Sequence, residues 1–243
     1  MFSRINKMPV NKRVSTYLAY ALGEITLVVI GILIAIQVDD WNREREQRKE
    51  ELESYQLIVA DLKRDSVLFV KYQKRYSKYL DTYFQMNKIK KGEGSLENVL
   101  SDFLISNIQF SPVTKNNHQA TIDKLRNRNI REQINNYFGN LNSVQQAAEE
   151  FNDFIVRESR PFFLKEQDIF QNETVFDYKD KTFPPIRKVS TVDTVKLKKV
   201  IKHPYFIPIL SQLRMSIGFY LASLERSMKE NTKLIKELEK HKK

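Results

Sequence analysis

The chain has 243 residues, a formal net charge of +11, 41% hydrophobic and 29% charged residues, six Gly, seven Pro and no Cys. Absence of cysteine excludes disulfides, zinc–thiolate clusters and a thiol nucleophile, and leaves the redox compartment open. Scarce Gly and Pro argue against many tight turns and for long helices with few loops, in one domain plus an appendage or in two small domains.

The first element is a basic tail, residues 1–17, carrying Arg4, Lys7, Lys12 and Arg13 with no acid before Glu24. Leu18–Val38 then gives 21 residues with one formal charge, Glu24. As a helix it spans ~31 Å, the thickness of a bilayer core. Tyr17 and Tyr20 stand at one end and Trp41 at the other, where amphipathic rings anchor at two membrane interfaces. A buried core helix is the competing reading, but Asp39–Asp40–Trp41–Asn42 follow at once. No small-x-small cleavage pattern precedes Asp39, so an uncleaved signal anchor is expected rather than a removed signal.

Lys and Arg counts tie across the span, with four before it and four (Arg43, Arg45, Arg48, Lys49) just after. The far flank also holds six acids among residues 39–51. Moving four unpaired cations outward opposes the membrane potential at ~2.3 kcal/mol each per 100 mV. The expected placement is therefore N-terminus cytoplasmic and main domain periplasmic, in a bacterial inner membrane.

Glu24 has two readings. Near the end of the span it can reach the interface as a plain edge residue. Yet Gly31 and Ala35, seven and eleven residues on, fall within about 20° of it on a helical wheel. Gly31-x-x-x-Ala35 is a small-xxx-small pair of the kind that lets helices approach closely. Glu24, Gly31 and Ala35 thus form a candidate helix-contact face for a second copy or another protein.

Beyond the span, residues 39–243 read as one helical-bundle domain. A long helix is expected at about 42–90, with Leu52, Tyr55, Val59, Leu62, Phe69, Tyr76, Leu80 and Tyr83 on one stripe that Ser66 and Gln73 interrupt. Lys91–Ser95 is a turn, and Ser95 is placed to cap a short helix through Ser106. Gln109–Asn117, with Pro112, reads as a connection, and helix is expected to resume near His118, closing a set of short helices over 95–128. A long helix follows at about 130–159, with Ile130, Ile134, Tyr137, Leu141, Val144, Ala148, Phe151 and Ile155 at alternating steps, ended by Pro161. Residues 165–192 lack periodicity and hold Pro184–Pro185, so a specific contact or a strap across the bundle is expected there. The last helix, about 205–240, carries Leu210, Leu213, Ile217, Tyr220, Leu224, Leu234 and Leu238, and its length suits antiparallel packing on the first. The expected fold is all-α: a single N-terminal transmembrane helix continuing into an elongated extramembrane bundle.

Chemistry is sparse. There is no P-loop, dinucleotide glycine pattern, HExxH or G-x-S-x-G. His118, His203 and His241 are scattered without a second ligand at helical spacing, and His203, before Pro204, reads as a helix-boundary cap. No catalytic, cofactor-binding or metal residues are assigned. Bases interspersed with acids argue against nucleic acid despite the net charge; Lys71–Tyr79 mixes bases with rings, but Tyr76 lies on the core stripe.

The segment YLAYALGEITLVVIGILIAIQVDDWNRE resembles the opening of a large family of uncharacterised, single-span bacterial membrane proteins. The matching residues are Gly23–Ile25, Val29–Ala35 and Trp41–Asn42, with weaker similarity over Ala120–Leu141 and from Lys198 onward. The family's pattern differs here at Asp39–Asp40 and at Arg126–Arg128. The resemblance implies architecture and no activity. The expected function is a non-enzymatic, membrane-anchored envelope protein whose partners are the lipid bilayer and another protein or a second copy. Two alternatives stay open: a ligand-sensing bundle that signals through a partner, and an enzyme accessory or cryptic hydrolase.

Overall fold

The computed structural model describes residues 12–95, 101–171, 175–176, 186–188 and 191–241. The start of the basic tail, the helix start expected after Ser95, and Pro184–Pro185 lie outside them. The fold is all-α. Helix α1 spans Lys12–Lys90, α2 Val113–Ile122, α3 Arg128–Phe154, α4 Thr194–Val200 and α5 Phe206–Lys240. The chain divides after Glu53 into two compact units.

In the first unit, α1 is exposed on all sides from Tyr17 to Glu50. Its most apolar window has a mean hydropathy of 2.3 and no buried residue. Thr26 Oγ1 donates to the Leu22 carbonyl at 2.7 Å, so this hydroxyl is satisfied within its own helix. Arg43 bridges Asp39 one turn earlier at 2.7 Å.

The second unit is a three-helix bundle. Its part of α1 runs antiparallel to α5: Tyr55 meets His241, Ser66 meets Asn231 at 2.6 Å, and Tyr76 meets Tyr220 edge-on at 5.4 Å. Helix α3 is antiparallel to α5 as well, through Tyr137 with Asn231 and Phe163 with Phe206 beyond its end. The expected stripe of α3 is buried at every position from Ile130 to Ile155. On α5 the buried residues advance by alternating fours and threes from Phe206 to Leu238, and include the polar Ser227 and Asn231. On α1 the expected stripe is buried except at Leu52 and Leu80, which are half-buried, and the buried surface also takes in Ile58, Asp65, Tyr79 and Met86 because this helix faces two neighbours.

Helix α1 ends in the expected turn: Gly92 and Gly94 have φ of +83° and +117°, and Glu93 N–H donates to the Lys88 carbonyl at 2.9 Å. A 3₁₀ turn at Ser101–Leu104 follows, and then residues 106–112 cross the bundle without secondary structure. Their backbone groups are satisfied by side chains. Asn152 accepts from Ile108 N–H and donates to its carbonyl at 2.8 and 2.9 Å, while Tyr76 Oη accepts from Gln109 N–H at 2.7 Å. Ile108 and Phe110 are thereby held in the core.

Two expectations are corrected. Helix α2 starts at Val113, not near His118, because its cap comes from another helix, as described below. Pro161 does not end the helical path: π-helical turns run over Ile155–Ser159 and Pro161–Glu166. Pro161 begins the second of these turns, where a fixed φ is tolerated. Packing holds the register there, since Ser159 Oγ donates to the Leu104 carbonyl and Arg160 Nε to Ile105 O at 2.8 Å.

The 165–192 segment contains two antiparallel ribbons too short for alternation to reveal. Strand β1 (Phe170–Gln171) pairs β4 (Thr191–Val192), and β2 (Val175–Phe176) pairs β3 (Ile186–Lys188). Asp193 then caps α4, accepting from Val195 and Lys196 N–H at 2.9 and 3.0 Å.

Candidate functional site

Among the described residues, three places stand out for their chemistry. The first is the expected contact face. Glu24, Gly31 and Ala35 are all exposed in the first unit, and a Cβ added at Gly31 would meet nothing within 4 Å. The surface is open to a neighbour at close range. Tyr17, Tyr20 and Trp41 are likewise exposed at its two ends.

The second place was invisible in the sequence. Asp61 and Asp65 stand one turn apart on α1 and clamp α2. The carboxylate of Asp65, 0% exposed, accepts Val113 N–H at 2.6 Å and Thr114 N–H at 3.1 Å. Those are among the orphan donors of the α2 N-terminus, where Pro112 offers no side-chain cap. A carboxylate here also opposes the positive end of the helix dipole. One turn on, Asp61 accepts from Asn117 Nδ2 at 2.7 Å and meets His118 Nε2 at 3.0 Å, with Arg64 at 2.8 Å on its other oxygen. Burial alone would raise the Asp61 carboxyl; the hydrogen bonds from Asn117 and His118 and the charges of His118 and Arg64 hold it below its ordinary value.

The network continues inward. Tyr137 Oη donates to Asp65 at 3.3 Å and accepts from Asn231 Nδ2 at 3.0 Å. Asn231 also donates to the Leu62 carbonyl at 3.1 Å, and its Oδ1 accepts from Ser66. Burial, first, and the Asp65 charge push the Tyr137 phenol well above its usual range, so it stays a neutral donor. Four helices are thus keyed together by one set of directional bonds. Polar groups in a core fix register because each misalignment strands a donor.

An Asp–His pair invites a catalytic reading, but Asp61 and His118 are 6% and 7% exposed. Both are spent on holding α2. Among the described residues no group of three or more His, Asp or Glu is arranged to hold a metal ion.

The third place is a cleft of ≈ 660 Å³ in the second unit, formed where the π-helical turns meet the start of α5. Phe154, Glu158, Phe162 and Glu166 line one wall, and Tyr205, Pro208 and Gln212 the other. A ring series orients Tyr205: Phe162 lies edge-on to His203 at 5.2 Å, and His203 lies 5.7 Å from Tyr205. His203 Nδ1 also accepts Tyr205 N–H at 3.2 Å, the boundary role its position suggested. Clefts of this size suit small ligands, and π-turns recur at functional sites. Spacing alone does not disclose it, because the wall needs a helix that continues through Pro161.

The family model described as a family of unknown function (DUF6090) matches residues 24–115. That stretch begins at Glu24, contains Asp61 and Asp65, and ends inside α2; the cleft lies outside it. The match fits the expected similarity to an uncharacterised family. No curated protein and no solved structure matches the chain.

Proposed function

We propose that the chain is a single-pass, membrane-anchored envelope protein, with its N-terminus cytoplasmic and its bundle periplasmic, acting without catalysis as a protein-interaction component. The observation that carries it is the run Leu18–Val38, strongly apolar with the single formal charge of Glu24 and buried nowhere. Exposed to water, such a run would leave the thirteen large hydrophobic side chains between Leu18 and Val38 unsheltered; lipid removes that cost at about 25 cal/mol per Å². The helix makes all its backbone bonds internally, which is what the bilayer demands.

The test is fractionation after an alkaline carbonate wash. The chain is expected in the pellet and released only by detergent; intact chain in the supernatant overturns the reading. Protease added to spheroplasts should degrade the bundle without lysis, and full protection would reverse the orientation. Partner contact through Glu24, Gly31 and Ala35 predicts that Glu24→Leu with Gly31→Leu abolishes crosslinked oligomers in membranes. Unchanged oligomers would reduce the helix to a plain anchor.

The cleft favours a second reading, a bundle that senses a small ligand and passes the signal to a partner. Its support is a preformed, ring-walled concavity on rigid helices.

A further inference from the structure

The charges around the cleft differ in sign from the chain as a whole. The protein carries +11. Of the ionised lining side chains, Arg157 is tied to Asp153 at 2.8 Å, so its charge is offset within its own helix. Glu158 and Glu166 also line the cleft, and neither has an ion-pair or hydrogen-bond partner among the described residues. Two uncompensated carboxylates therefore border a space whose other walls include the rings of Phe154, Phe162 and Tyr205, two prolines, Ile209 and the neutral amide of Gln212.

Ring faces carry negative quadrupole charge and attract ammonium and guanidinium groups within ~6 Å of the centroid. Carboxylates beside them add a longer-range attraction for the same cations. An anion would meet only Arg157, already paired. A neutral apolar ligand would leave both acids to be desolvated with nothing in return. Tyr205, 66% exposed yet braced by His203 and Phe162, offers a ring fixed in advance, so little side-chain freedom is lost on binding.

We propose that this cleft is a binding site for a small organic cation, an amine, quaternary ammonium or guanidinium group on a short apolar stem. The inference rests on the ligand-sensing reading and is independent of the membrane anchor. The ammonium or guanidinium head lies between Glu158 and Glu166, and the stem lies along the ring and proline walls.

The test is calorimetric titration of the full chain in a neutral detergent with choline, agmatine and spermidine, against succinate and phosphate at matched ionic strength. At least one cation is expected to bind saturably. Glu158→Gln with Glu166→Gln should weaken that binding about tenfold or more, and Tyr205→Ala about three- to fivefold. Glu225→Gln, an exposed acid on α5 away from the cleft, should leave it unchanged. All these positions are exposed, so an unaltered melting temperature of each variant certifies its fold. Cation binding that survives both cleft variants, or falls equally in Glu225→Gln, overturns the assignment. Preference for succinate or phosphate overturns the cation class but leaves a ligand site standing. Absence of binding by either class overturns the sensing reading with it, whereas carbonate fractionation judges the anchor separately.

Discussion

Replacing Asp65 by alanine puts the clamp to a quantitative test. The substitution removes the acceptor for Val113 N–H, Thr114 N–H and the Tyr137 hydroxyl, all at a residue with no solvent exposure. Loss of a helix cap costs about 0.5–2 kcal/mol. Each buried donor left without a partner costs about 1–3 kcal/mol, less where water enters. Part of the penalty is returned because a buried charge is also removed. The expected net loss is about 3–5 kcal/mol, or a fall of roughly 8–15 °C in melting temperature for a unit of this size.

Lys63→Ala is the matched control. It breaks the Lys63–Glu239 bridge of 2.7 Å between α1 and α5, with side chains 57% and 40% exposed. Solvent screening limits that pair to about 0–1 kcal/mol. Circular dichroism at the helix band, on the full chain in detergent, reads both variants. Hydrogen exchange locates the damage: amides of Val113–Ile122 should lose protection first, ahead of α3 and α5. A cost below about 1 kcal/mol for Asp65→Ala, or unaltered exchange in α2, would refute the long-range cap.

Acid should release α2 through Asp61. Its folded carboxyl lies below the ordinary 3.8, so its contribution is complete above that pH and disappears as pH falls through the lower, folded value. The stability gap between wild type and Asp61→Asn, measured from neutral pH downward, should hold down to about pH 4 and then narrow; a gap that widens in acid contradicts the sign. Ser227→Ala should be neutral or stabilising by about 0.5–1 kcal/mol, since the Ser227 hydroxyl is buried without a hydrogen-bond partner among the described residues and alanine is the better helix former. A loss above about 1 kcal/mol in the same melt would mean that the hydroxyl has a partner.

The sequence by itself determined that the fold is helical and which faces of its long helices are buried. Residues such as Ile130, Ile134 and Tyr137 recur at helical spacing, and burial of a repeating stripe needs no knowledge of the neighbour. The apolar run at Leu18–Val38 was legible for the same reason, since length and composition are local properties. Only the tertiary structure decided what the polar interruptions do. Ser66 and Asn231 sit 165 residues apart yet bond at 2.6 Å, and Asp65 caps a helix that begins 48 residues later. Local reading placed the start of α2 near His118 because Pro112 marks Gln109–Asn117 as a connection, whereas the helix begins at Val113 with its cap supplied across the bundle. The cleft depends in the same way on a helical path that outlasts a proline and meets the N-terminal turn of α5. Periodicity is set by each segment's own geometry; the partners of buried donors and the walls of a cavity are set by which segments meet.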